Sequence, residues 1–178
     1  LSSSSAASDV YKRQLLEIGI KDSKKLTEKR RIKIVEQARP FLQDLFTIHI
    51  SNEQIDQIGI AKSFQKACLK IANQISQKYK KTLILSDYFT IKKLPKNLKN
   101  LAIKNGDNIS LSISLAAIFA KVSRDNLMQK LHKEFPFYHW DKNKGYGTNS
   151  HIQAIKEKGI SKYHRKTFLK KILSSKYI

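Results

Sequence analysis

Asp87 and Asp107 are the residues around which chemistry can be built. The first ends the apolar run Thr82-Leu-Ile-Leu-Ser-Asp87, which reads as a buried strand. The second follows the short apolar stretch Leu101-Ala-Ile-Lys104 within Gly106-Asp107. Strand ends are frequent places for active-site residues in α/β proteins. The two acids are twenty residues apart, so neighbouring strands can bring both carboxylates to one edge of a sheet. There they can share a divalent ion. Hard oxygen donors suit Mg²⁺ or Mn²⁺, and such ions activate water and neutralise charge developing at a phosphodiester. The background charge strengthens this reading: 35 Lys and Arg against 14 Asp and Glu give a net charge of +21. Solubility needs far less, and a polyanion such as nucleic acid is the simplest partner for it. Acids within a phosphate-binding surface oppose binding unless a metal offsets them. In a chain rich in Lys, Ile and Asn, the same charge can also be solvated surface.

Other site types fit less well. His151 and His164 with a single cysteine are too few for a zinc set and lack paired spacing. Gly145-Tyr-Gly147 lacks the Gly-Lys-Ser/Thr ending of a phosphate loop. Ser110, Ser112 and Ser114 have no adjacent base and read as helix-start and packing residues. Asp125 reads as structural, paired with a cation such as Arg124 or Lys121. Cys68, beside Ala67 in a helical pattern, reads as a small core residue, and one cysteine permits no intrachain disulfide.

The elements that must position the acids can be read from pattern and punctuation. A helix is expected after the N-cap Thr27, ending before Pro40. Leu45 to Ile50 alternates like a strand, and Ser51-Asn-Glu-Gln54 has the form of a capping box. A longer helix carries Ile60, Phe64, Ala67, Cys68, Ile71 and Ile75 on one face. Residues 92 to 104 hold five lysines and no acid, reading as a solvated connection into the strand at Leu101. From Ser112 to about Lys133 one long helix is expected, its run Leu115-Ala-Ala-Ile-Phe-Ala120 apolar all round and so buried. Asn143-Lys-Gly-Tyr-Gly-Thr148 reads as a glycine-bracketed loop, followed by a helix from about Ser150 that stops at Gly159. A basic amphipathic helix is expected from His164 to Leu173. Residues 1–14 are of low complexity and read as a non-native flank, leaving 15–178 as a single α/β domain. No run approaches a membrane span and no secretory signal is evident, so a cytoplasmic protein without membrane contact is expected.

Four motifs together resemble bacterial ribonuclease HII. They are Lys21-Asp-Ser-Lys-Lys-Leu-Thr27, Gly106-Asp107 with the following run Ser112-Ile-Ser-Leu-Ala-Ala-Ile-Phe-Ala-Lys-Val-Ser-Arg-Asp125, Asn143-Lys-Gly-Tyr-Gly-Thr148 with His151, and His164-Arg-Lys-Thr-Phe168. They occur in the family's order and cover nearly all of residues 18 to 168. The resemblance implies a ribonuclease H-like α/β fold with a mixed central sheet flanked by helices. It implies an endonuclease that cleaves the RNA strand of RNA–DNA hybrids, including single ribonucleotides in duplex DNA, with Mg²⁺ or Mn²⁺ held by four acids. By the same resemblance Asp87 and Asp107 are catalytic metal ligands. Tyr146 packs near the ribonucleotide sugar, where the 2′-hydroxyl distinguishes RNA from DNA. Lys24, His164 and Arg165 hold phosphates without reading sequence. Ten Lys and Arg against two acids from Asp141 onward suit that role. A monomer is expected for the full-length protein.

Three features depart from the family pattern. The adjacent Asp-Glu pair and Gly-Arg-Gly loop that open the family's domain are absent, and Asp9, followed by Val10, does not replace them. Tyr88 stands where the family usually has Gly after the strand-end acid. Leu115-Ala-Ala117 replaces a more regular Ala-Ala-Ser run. A chain lacking its opening strands is therefore expected, with residues 1–14 in their place and two of the four acids missing. Two carboxylates set a formal −2 against +4 for two divalent ions, so weak paired-metal binding is expected. An uncovered sheet edge and apolar surface are expected as well. The alternatives are a basic nucleic-acid-binding module that retains hybrid affinity without cleavage, and a structural or ribosome-associated basic protein. The last leaves Asp87, Asp107 and Tyr146 unexplained.

Overall fold

Short polar side chains set the helix starts in this chain. In the computed structural model, which describes residues 16–20 and 26–169, Thr27 is extended and its hydroxyl accepts from the Arg30 N–H at 3.3 Å. That bond satisfies one of the first-turn donors of helix α1 (Glu28–Ala38). Pro40 then sits within a 3₁₀ turn, Arg39–Phe41, where its missing N–H costs nothing. Ser51 accepts from the Gln54 N–H at 3.2 Å and opens α2 (Asn52–Ile58). Gly59, at φ 78°, separates it from α3 (Ile60–Lys78). Leu45 to Ile50 does not form the expected strand. Exposure alternates along it, but among the described residues it has no ladder partner, and alternation without pairing makes no sheet.

The chain divides into two compact units: residues up to Thr47 with Ile71–Ser123, and Ile48–Lys70 with Arg124 onward. In the first, β1 (Thr82–Asp87) and β2 (Leu98–Ile103) pair in parallel, from Thr82 opposite Leu98 to Asp87 opposite Ile103. β2 begins earlier than expected because its asparagines act as braces rather than as solvated linker. Asn97 donates to the Ser76 and Tyr79 carbonyls at 3.1 and 2.8 Å. Asn100 donates to the Ile84 carbonyl and to Ser86 Oγ at 3.1 and 2.8 Å, and accepts from the Ile91 N–H at 2.8 Å. Leu83 and Leu101, on one face of this pair, are 56% and 50% exposed.

Beyond β2 come the single turn α4 (Gly106–Ile109) and the long helix α5 (Leu111–Glu134). Leu115, Ile118 and Phe119 of α5 pack with Ile20, Ile34 and Ala38 in the first unit's core. The run from Leu115 to Ala120 is not buried all round as expected: Ala116, Ala117 and Ala120 are exposed. A helix packed on one side sends only one stripe inward, whatever its composition. On α3, Ala72 is buried whereas Ile60 and Phe64 are each 51% exposed. Cys68 is half-buried, and burial raises its thiol pKa, consistent with a packing residue.

The second unit is built on aromatic residues. A 3₁₀ turn, Pro136–Tyr138, leads into α6 (Trp140–Asn143) and then α7 (Asn149–Lys158). Thr148 caps α7, accepting from the His151 N–H at 3.4 Å, and Gly159 at φ 76° ends it as expected. Tyr138, Trp140, Ala154, Ile155 and Leu169 form the core, with Met128, Leu131, Phe135 and Tyr163 packed against it. The expected C-terminal helix is helical over 166–169; the stretch from 170 onward lies outside the described residues, as do residues 1–14 and Lys24. Helices predominate around a parallel strand pair, an α/β architecture. Among the described residues no helix is long and apolar enough to cross a membrane.

Candidate active site and nucleic-acid interface

Parallel pairing in register puts the C-terminal ends of β1 and β2 side by side, and both candidate acids follow from that. Asp87 is the last residue of β1, opposite Ile103. The chain leaves β2, turns through left-handed Asn105 at φ 55°, and enters α4 at Gly106. The Gly106 N–H donates to Asp87 Oδ1 at 2.8 Å, and the Tyr88 N–H to the Ile103 carbonyl at 2.9 Å. Asp107, next in sequence to Asp87's partner, is buried, whereas Asp87 is exposed.

Gly106 is required by the close approach. A Cβ there would lie 2.6 Å from Ile113 Cδ1, 3.4 Å from Ile103 Cβ and 3.5 Å from Asp87 Cα. Tyr88 stands at φ 54°, a left-handed position that glycine occupies without strain. The preference for glycine after this acid thus has a backbone cause. Two carboxylates at adjacent strand ends offer the hard anionic oxygens that Mg²⁺ or Mn²⁺ takes, so the donor chemistry fits such an ion. Among the described residues no group of three His, Cys, Asp or Glu side chains is placed to hold a metal. Ser110 precedes α5 and accepts from the Ile113 N–H at 3.5 Å, in the helix-start role read from sequence. Ser114 is buried, and its hydroxyl finds no hydrogen-bond partner among the described residues.

In the second unit Tyr146, His164 and Arg165 line one cavity of about 360 Å³ together with Arg124, His151 and Phe168. Tyr146 is 58% exposed and the Arg124 guanidinium lies 4.9 Å from its ring centroid, a cation–π distance. Arg165 stacks on Phe168 at 3.8 Å. Burial and then the nearby Arg124 guanidinium lower the Arg165 pKa; a guanidinium remains charged all the same, so two cations face a shared space. Asp56 fixes the segment after Arg165, accepting from the Lys166 N–H at 2.7 Å, the Thr167 N–H at 3.2 Å and the Thr167 hydroxyl. Burial pushes the Asp56 carboxyl up, but these bonds, led by the Thr167 side chain, hold it below its usual value. Asn52 adds a second clamp, donating to the Lys162 and His164 carbonyls at 2.8 and 3.1 Å.

His164 is 7% exposed. Burial first, then the neighbouring His151, lowers its pKa to about 4, so its imidazole is neutral near pH 7. Near pH 7 it therefore brings no positive charge to the cavity. Sequence reasoning took Arg124 only as a partner for Asp125, which is itself buried. It also passed over Trp140, and took Asn143 only as a loop residue. The available signal was the aromatic run from Phe135 to Trp140 just before the Gly145-Tyr-Gly loop, because a loop whose glycines bring no side chains of their own needs a rigid anchor beside it.

Comparison with known proteins agrees with the fold and motifs. The family model for ribonuclease HII matches residues 3–171. A ribonuclease HII from Rickettsia bellii (strain OSU 85-389) is 46% identical over 153 residues, 85% of this chain and 74% of that protein. One from Rickettsia felis is 44% identical over 151 residues, 84% of this chain and 75% of that protein. A chain from the structure of the PCNA:RNase HII complex from Archaeoglobus fulgidus superposes with a TM-score of 0.67 at 22% identity, covering 88% of this chain and 80% of that one, and shares the fold. Likeness in sequence to the Rickettsia proteins over most of its length shows that this chain belongs to the ribonuclease HII family.

Proposed function

We propose that this chain is an endonuclease that cleaves the RNA strand of RNA–DNA hybrids and single ribonucleotides embedded in duplex DNA, with Mg²⁺ or Mn²⁺ held by Asp87 and Asp107. Family membership supplies the coarser statement, a ribonuclease acting on RNA–DNA hybrids. The observation that carries the finer one is the bond from the Gly106 N–H to Asp87 across adjacent parallel strand ends, which ties both acids to one local frame. A divalent ion there would supply Lewis-acid charge at the scissile phosphate and lower the pKa of an attacking water. The chain's own residues do the rest. Tyr146, exposed and backed by Arg124, contacts the ribose and its 2′-hydroxyl. Arg124 and Arg165, with Lys24, hold phosphates and position the duplex without reading its sequence. The net charge of +21 provides long-range attraction for it.

The test is cleavage of a DNA duplex carrying one ribonucleotide, with and without Mg²⁺ or Mn²⁺, alongside Asp87→Asn and Asp107→Asn. Metal-dependent cleavage lost in both variants is the expected result. Cleavage that persists in both would sink the assignment of the acids. A second reading is favoured by one specific observation: among the described residues no third acid joins the pair. On that reading the chain binds hybrids without cutting them, and the same assay would give a retarded but intact duplex with or without metal.

A further inference from the structure

His151 is 4% exposed on the first turn of α7, and its ring meets three polar groups, all within the second unit. The Trp140 indole N–H donates to its Nε2 at 3.0 Å. An indole nitrogen can only donate, so His151 Nε2 is unprotonated. In a neutral ring the proton is then on Nδ1, which stands 2.9 Å from the Tyr146 carbonyl and donates to it. His164 Nδ1 accepts from the Ser161 N–H at 2.9 Å, so its proton sits on Nε2. That proton points to His151 Nε2 at 3.2 Å. Each ring thus has one tautomer compatible with its partners. Protonating His151 would set a third N–H against the two donors already there, and burial lowers its pKa in the same sense.

We propose that His151 is the positioning residue for Tyr146, its Nδ1–H gripping the Tyr146 carbonyl while Trp140 and His164 fix its tautomer from the other side. The loop needs such a grip. Gly145, at φ 78°, lies against Met128, but Gly147 has open space where a Cβ would lie, so the flank that follows Tyr146 does not restrain it by packing. Its backbone is otherwise held by its N–H to the Asn143 carbonyl at 2.8 Å and by the Thr148 N–H to its carbonyl at 2.9 Å. Asn143 in turn accepts from the Gly145 N–H through Oδ1 and donates to the Tyr138 carbonyl. The aromatic core thus reaches the Tyr146 backbone through the His151 imidazole and the Asn143 amide. This inference rests on the reading of Tyr146 as the sugar contact.

The test uses the whole chain and measures binding rather than turnover. Affinity is compared, without divalent metal, for a labelled DNA duplex carrying one ribonucleotide and the same duplex in all-DNA form. His151→Asn retains an amide N–H near the position of Nδ1 and should keep the preference for the ribonucleotide within about threefold. His151→Gln carries its amide out near the position of Nε2, where it can accept from Trp140, and leaves no donor at the position of Nδ1. It should lose roughly tenfold of the preference, about the worth of one hydrogen bond, with all-DNA affinity unchanged. Tyr146→Ala is the control. If Tyr146→Ala removes the preference and His151→Gln does not, the positioning role is wrong and the Tyr146 reading stands. If Tyr146→Ala changes nothing, the Tyr146 reading itself fails. Nitrogen-15 imidazole shifts of the unmodified protein decide the matter if a variant does not fold: His151 protonated on Nδ1 alone and His164 on Nε2 alone is the expected pattern, and any other overturns the proposal.

Discussion

Replacing Gly106 with alanine should destabilise the chain even though alanine is the better helix former. The two effects oppose each other and the structure decides between them. Removing a glycine's freedom in the unfolded state favours alanine by about 0.4–1 kcal/mol. Against that, the new Cβ would stand 2.6 Å from Ile113 Cδ1, whereas carbon atoms rest at about 3.5–4.0 Å. Ile113 Cδ1 must retreat by roughly 1 Å. It has little room, because Ile113 is 7% exposed, and the Cβ cannot move away with Ile103 Cβ at 3.4 Å and Asp87 Cα at 3.5 Å on its other sides. Overpacking of this kind costs about 1–3 kcal/mol, which leaves a net loss of about 0.5–2 kcal/mol and a fall of about 1–8 °C in melting temperature for a chain of this length. Thermal denaturation followed by circular dichroism measures it, and the double variant with Ile113→Val isolates the cause by removing the offending methyl group. The pair should be coupled by more than about 0.5 kcal/mol. Strict additivity, or a Gly106→Ala protein as stable as the parent, would refute the crowding argument and with it the claim that glycine is needed for β2 to deliver Asp107 beside Asp87.

Tyr88→Gly should act in the opposite direction. It relieves a left-handed residue at φ 54° whose side chain is 75% exposed, and about 1–2 kcal/mol of strain against about 0.5–1 kcal/mol of glycine entropy leaves a gain of about 0.5 kcal/mol. A lower melting temperature would count against it. Asn100→Leu should cost about 2–4 kcal/mol in denaturant unfolding, because it leaves the Ile91 N–H and the Ile84 carbonyl without the partner they now share; a change below 1 kcal/mol would show that water replaces the brace. Stability should also fall as pH drops from 6.5 towards 4. The unfolded His164 takes up its proton near 6.5 while the folded one resists until about 4, so unfolding gains protons across that window. His151 is lowered in the same sense. His164 alone amounts to roughly 3 kcal/mol, and His164→Asn should flatten the profile; an equally steep one would place the titration elsewhere.

What the sequence disclosed and what it hid follow from the range of the interactions. Thr27, Ser51 and Gly159 act on their own neighbours within one turn, and their roles were legible. The strand ending at Asp87 was legible because an apolar run bounded by polar residues has few other uses. Leu45 to Ile50 misled because alternation reports a two-sided environment, and a strand needs a partner besides. Asn97 and Asn100 misled because a polar residue in a lysine-rich stretch looks solvated until the carbonyls it ties are known. The surroundings of His164 were hidden for the same reason in reverse. Between lysines and an arginine it reads as one more cation, and only the fold shows Trp140 and His151 closing over it.

The two candidate regions also differ in how their chemistry is specified. At the strand ends the requirement is on backbone: Asn105 turns, Gly106 leaves room, and the carboxylates follow from their position in the chain. A family signature of two residues, Gly-Asp, suffices there because the parallel register supplies the rest. Around Tyr146 the requirement is on side chains distant in sequence, where Trp140, His151 and His164 each restrict the proton of the next. A short motif cannot encode that. It predicts that changes at Asp87 or Asp107 abolish an activity outright, whereas changes in the imidazole chain grade it, shifting the preference for a ribonucleotide while leaving the affinity for duplex intact.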